Sequence, residues 1–310
     1  MLHLFKRKRS NTIDKTTAFD YFNVLLMLVV CVVCLYPMLY IVFASFSMPG
    51  QLAIHRGIMW RPLGFTLEGY RLVLNNPNIA TGYFNTLIYV TFGTLSTLIL
   101  TTIAAFLASR TNWMWARGLT LMILVNMFFG GGMIPFYMLI RDLGWLDSRT
   151  ALIIPGSLNV FRMIITRTAI MGIPDSLEES ARIDGANDFI ILVKIILPLI
   201  TAALAVQVLF AAVAHWNAWF NAMIFIRDRS LFPLQLILRE ILLIDDMQVI
   251  SGAEGLGVGT VGGLSMADIV NLQLLTRYVT VVVATVPILC AYPFLQKYFV
   301  KGMLIGAVKG

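Results

Sequence analysis

Few side chains in this 310-residue chain are of the kinds that do covalent or acid–base chemistry, and their spacing does not let them cooperate. The histidines His3, His55 and His215 are scattered, with no metal-ligand spacing. Cys31 and Cys34 form a C-V-V-C run, but they and Cys290 sit in apolar stretches, where cysteine behaves as a small hydrophobe. There is no G-x-x-x-x-G-K-[ST] to cradle a nucleotide, and no Ser-His-Asp or paired-carboxylate arrangement. Glu178 and Glu179 are neighbours on different helix faces, and Asp245 and Asp246 read as solvated loop charges. What remains is non-covalent recognition. In His215–Asn221, Trp216 and Phe220 are i and i+4, and Asn217 and Asn221 form a second stripe about 100° round the helix. Aromatic faces beside amides suit sugars, which present apolar ring faces rimmed by hydroxyls. The alternative is that the tryptophans anchor at an interface and the amides bond neighbouring helices. Arg162 lies within an apolar run, where a charge faces an interior or a water-filled path, as a structural pair or a transport group.

The other organised polar stretch is residues 174–198. Pro174 and Asp175 make a helix entry, with Asp175 as N-cap and Glu178 closing a capping box. Glu178 and Arg182 stand at i and i+4 in the favourable order. Gly185 falls where a short helix would end, and a second helical run, Asp188 to Ile196, stops at Pro198. The stretch reads as helix, glycine hinge, helix, between two apolar spans. A loop that only joined spans would not need this much helix signalling.

Those spans must position everything else. The chain is 59% hydrophobic and only 13% charged, about half the charge of ordinary soluble domains. Long apolar runs make it one all-α integral membrane domain. Six spans are expected: about 21–46, 83–109, 118–140, 151–171, 199–226 and 278–298. The first is too long for a signal-peptide core. Threonines and Asn85 dot the second. The third holds Gly130–Gly132 and Pro135, which mark either close packing with a kink or a broken helix lining a cavity. Residues 47–81 and 227–277 are long outside segments, the latter with an apolar helical run, Leu231 to Ile244, and a glycine-rich stretch, Gly252 to Gly263. The domain order is a basic cytoplasmic tail (1–18), the six-span unit (19–300) and a short basic tail (301–310).

Six spans put both termini on one side, and the modest excess of Lys and Arg there makes it the cytoplasm. The net charge of +7, concentrated at Lys6–Arg9 beside the first span, speaks for topology and contact with membrane lipid, not nucleic acid.

The 174–198 stretch carries a family resemblance. Glu179-Ser180-Ala181, three residues, Gly185, nine residues, then Ile195-Ile196-Leu197-Pro198 resembles the EAA loop of ABC importer permeases. Ala181–Ala186 (ARIDGA) has the form of the carbohydrate-importing branch. Ser180 replaces the motif's second residue, its first alanine, with another small one, and a further proline often found after Pro198 is absent. Pro62–Tyr70, Tyr292–Gly302 and His215–Asn221 also look like the oligosaccharide branch, most similar to permeases for polysaccharide breakdown products. The resemblance implies the type I importer fold, a plasma-membrane location in a bacterium, and no catalysis by this chain. It implies a second homologous permease, two cytoplasmic ATPase subunits that bind ATP and Mg²⁺, and an extracellular sugar-binding protein. It casts Glu179, Ser180, Ala181, Asp184, Gly185 and Pro198 as the surface coupled to the ATPase. The rival readings are a secondary transporter or channel, which would want intramembrane acids, and a scaffold or receptor without transport. No Asp or Glu lies well inside any expected span.

Overall fold

Every regular element in the described residues is helical; the computed structural model covers 18–110, 114–241 and 266–307. The N-terminal basic cluster, Asp245, Asp246, the Gly252–Gly263 stretch and the last three residues lie outside that range.

Among the described residues, three unbroken helices are long and apolar enough to cross a membrane. The first, α1 (Ala18–Ser45), is apolar all round; its most apolar stretch has no residue buried, and only its end, at Ala44 and Ser45, is enclosed. There the loop after it folds back. Phe46 stacks between Phe65 and Tyr70, and the Ser47 hydroxyl accepts from the Leu63 N–H. This loop carries α2 (Pro49–Ile54) and α3 (Glu68–Leu74), which pack on the last helix.

The helix α4 (Pro77–Ser109) is the hub. Asn76 caps it by accepting from the Asn78 N–H at 3.0 Å, and Pro77 fills a first-turn position that needs no donor. The expected third and fourth spans are not continuous. One is α5 (Ala116–Phe128) and α6 (Met133–Asp142), parted at Gly130–Gly132, where Gly132 has φ +80°. The other is α7 (Thr150–Ile153) and α8 (Val160–Met171), parted around Pro155 and Gly156. Glycine and proline at these points remove helix-forming geometry and donors.

The short α9 (Asp175–Ile183) follows, then α10 (Asp188–Leu199), which contains a π-helical stretch, Ile191–Ile196. The chain turns by 84° into α11 (Thr201–Trp216). Pro198 donates no N–H, and with the π stretch it accounts for a sharp bend at Ile200. The second helical run therefore continues past Pro198 to Leu199. The fifth span also ends early: α11 stops at Trp216, and α12 (Phe220–Phe225) is separate. A helix at 234–241 (α13) precedes α14 (Met266–Ala307).

α11 runs antiparallel to α4. Trp216 meets Tyr83, the His215 ring lies against Gly93, and Ala203 and Leu204 pack in one cluster with Ala104 and Ala105. α8 also packs along α4, tied by Arg167 Nε donating to Ala108 C=O at 2.9 Å, and Ser157 in the break before it shares a hydroxyl pair with Ser96 at 2.7 Å. Pro287 leaves the Val283 carbonyl of α14 without its helical donor; the Tyr83 hydroxyl supplies one at 2.7 Å. Trp216 Nε1 donates to the next carbonyl, Ala284, at 3.1 Å.

Candidate functional site

At one end of the molecule, α9 stands out from the bundle. Its start differs from the expected capping box. Pro174 is the cap position, with no side-chain cap bond, and Asp175 begins the helix. Glu178 does not pair with Arg182; it forms an ion pair with Arg110 at the end of α4, while Arg182 reaches Asp188 at 2.6 Å. A tertiary partner outcompetes the i,i+4 pair because Arg110, stacked 3.9 Å over Phe106, is already held in place. The helix ends in a Schellman motif. Ala186 N–H donates to Ala181 C=O and Gly185 N–H to Arg182 C=O, with Gly185 at φ +82°. Asp184 is the C-cap residue.

One face of α9 is anchored and the other is bare. Ala181 is buried against a cluster that includes Ile191, Leu192 and Ile196. Glu179, Ser180, Asp184 and Gly185 are exposed, and so is Pro198. Ile183 is 86% exposed and Phe189 73%, on either side of the glycine turn. Two bare apolar side chains at a polar, charged turn make a surface built to be covered.

The His215–Asn221 run is not one helix. Asn217 terminates α11, and its Nδ2 donates back to Val213 C=O at 2.9 Å. The expected Trp216–Phe220 stripe is broken between them. Trp216 is buried and bonded to α14, whereas Phe220 and Asn221 are exposed on α12. Amide-to-backbone bonding ended the helix where periodicity alone would have carried it on. Trp219, in the break, faces a cavity of about 510 Å³ lined also by Asn217, Gln235, Arg239, Thr280 and Ala284. Arg162 is the third residue of α8, just past the break that interrupts the expected fourth span near its middle. Its Nη1 is buried without a partner among the described residues. Among those residues no three His, Cys, Asp or Glu side chains gather as a metal site.

No family model matches the chain. Individual relatives do. It is 34% identical over 296 residues, 96% of this chain and 100% of the relative, to the polygalacturonan/rhamnogalacturonan transport system permease protein YtcP of Bacillus subtilis. It is 35% identical to protein LplC of the same organism, over 94% of this chain and 95% of that one. A crystal structure of a bacterial ABC transporter involved in the import of the acidic polysaccharide alginate contains a chain that matches with TM-score 0.77 and 31% identity, covering 91% of this chain and 96% of that one. The chain belongs to the carbohydrate-uptake permeases of ABC importers.

As such a permease it is a multi-pass membrane protein and a transport subunit, not an enzyme, and its family implies partner subunits. Three features of this permease escaped the sequence reading. Arg110 fastens α9 to the end of α4, although nothing in the sequence links it to Glu178, 68 residues on. Asn85 is a junction: Nδ2 donates to the Ser230 and Phe232 carbonyls, and Oδ1 accepts from Arg149 at 3.0 Å. With the Tyr89 hydroxyl on Leu231 C=O and the Leu234 N–H on Thr86, it pins residues 230–234 against α4, so the segment after α12 folds back onto the bundle. Arg239, whose guanidinium carbon lies 3.5 Å over the Trp219 ring, sat in an apolar run with no visible partner. For Asn85 and Arg239 an isolated polar residue in an apolar run was the only signal available.

Proposed function

We propose that this chain is a membrane-spanning permease subunit of an ATP-driven importer of oligosaccharides, in the plasma membrane. Its partners are a second homologous permease, two cytoplasmic ATPase subunits that bind ATP and Mg²⁺, and an extracellular sugar-binding protein. The relatives named for polygalacturonan, rhamnogalacturonan and alginate support acidic oligosaccharides as cargo.

The observation that carries the reading is α9. It is fixed to the bundle by Ala181 and by the Arg110–Glu178 pair, and bare on its outer side. We assign its outer face, Glu179, Ser180, Asp184 and Gly185 with Ile183 and Phe189, to contact with the ATPase, Glu179 supplying charge. Pro198 sets the bend through which movement of α9 reaches α11. Sugar passes by the helix breaks at Gly130–Gly132, 154–159 and Asn217–Trp219, because irregular backbone at membrane depth belongs beside protein or water. In this reading Asn217 and Arg162 face the path, Phe220 and Asn221 flank it, and Trp216 supports its wall.

A side chain on Gly185 would meet open space, so a substitution there strains only the backbone, by roughly 1–2 kcal/mol. The test is sugar-stimulated ATP hydrolysis by the reconstituted importer. Gly185→Val and Glu179→Ala should abolish most of the stimulation while the complex still inserts. Full stimulation in both would remove α9 from the coupling path.

A further inference from the structure

We propose that the cavity between α11, α13 and α14 is a subsite for the carboxylate of an acidic sugar, with Arg239 as the residue that reads it. This rests on the importer reading above and adds a residue-level origin for acid selectivity.

Arg239 is half-buried, and its guanidinium carbon lies 3.5 Å over the Trp219 ring, which holds the cation at the cavity by a cation–π contact. Its Nε is buried and has no acceptor among the described residues. The acid next to it in sequence, Glu240, is engaged elsewhere, with Arg229 at 2.9 Å. A planar cation that lines the cavity offers the edge formed by its two Nη groups to a carboxylate, which accepts two parallel N–H bonds. Among the described residues no Asp or Glu lines the cavity to compete.

The rest of the lining suits a sugar ring. Thr280 is a lining residue, 1% exposed, and its buried hydroxyl has no partner among the described residues. Gln235 stands one turn before Arg239 and brings an amide. The Asn217 amide nitrogen is used by Val213, which leaves its oxygen as an acceptor for hydroxyls. Leu238, Val281, Ala284 and Ile288 form an apolar wall for the ring's C–H face. A volume of about 510 Å³ lies within the range of small-molecule sites.

The test is uptake by the complete importer in proteoliposomes, with digalacturonate and its neutral counterpart galactobiose as probes. The ratio of acid to neutral uptake cancels the selectivity of the binding protein, which is the same for every permease variant. Arg239→Gln should lower that ratio about tenfold. Arg239→Lys, which keeps charge but not the fork, should lower it less. Thr280→Val should slow both sugars alike. An unchanged ratio in Arg239→Gln, at wild-type abundance and basal ATP hydrolysis, overturns the proposal. So does a ratio that falls only in vesicles containing anionic lipid, which would mean that the guanidinium holds a lipid headgroup. If the wild-type importer takes up neither probe, the acidic-oligosaccharide reading itself fails.

Discussion

Asp147 shows how much one side chain can organise. It is the one non-glycine residue at positive φ among those described, +57°, and its Oδ1 accepts the N–H groups of Arg227 and Asp228 at 2.9 and 2.8 Å. The turn after α6 is thereby tied to the turn after α12. The two backbone donors, Asp228 first and then Arg227, hold the carboxyl below the usual carboxylate range. A lowered folded-state pKa contributes stability that is complete above the unfolded value and is lost as pH falls through the folded one. Asp147→Asn keeps an acceptor and tolerates positive φ, but it carries no charge. The melting temperature of wild type should therefore exceed that of the variant from about pH 7 to about pH 5, and the gap should close below about pH 4. A gap that persists unchanged at lower pH would show that the charge contributes nothing. At this scale the sequence was least legible. Nothing local to Asp147 or Arg110 marks either as a tie, because their partners are 80 and 68 residues away.

Among the elements, the bends were harder to place than the spans. Apolar length located α1, α4 and the middle of α14, since a run of that length with at most one charge has no other stable environment. Gly185 was legible as a helix end because only its backbone conformation mattered. The breaks at 154–159 and Asn217–Trp219 were not, since both depend on which backbone groups find tertiary partners. Gly82 illustrates the point. It reads as one more small residue, yet a Cβ there would fall 2.6 Å from Ile237 Cδ1 and 3.1 Å from the Leu234 backbone. The glycine is what lets α13 lie against α4. Gly82→Val should push α13 away and destabilise the permease by about 1–3 kcal/mol. It should also impair uptake, because α13 carries Gln235 and Arg239. Thermal unfolding in detergent and uptake at matched abundance check both effects; wild-type values in each would mean that the contact gives way freely.

For the molecule as a whole, the orientation rests on span count and charge. We expect both termini and residues 172–198 on the cytoplasmic side, with 47–81 outside. Single cysteines at Gly57 and Ser180, in a background without Cys31, Cys34 and Cys290, should be labelled by an impermeant maleimide from opposite sides, Gly57 from outside. The same side for both would invert the scheme. The geometry of α9 to α11 also has a mechanical meaning. The Arg182–Asp188 pair braces the two arms of the Gly185 turn, so α9 and α10 act as one short crank. The 84° elbow at Ile200 joins that crank to α11, 16 residues or roughly 24 Å long. A rocking of about 10° about the elbow would sweep the far end of such a rod by about 4 Å. That far end is Asn217, at the rim of the cavity. A pull of one or two bond lengths on the bare face of α9 would thus arrive as a displacement wide enough to open or close a passage around a single sugar ring.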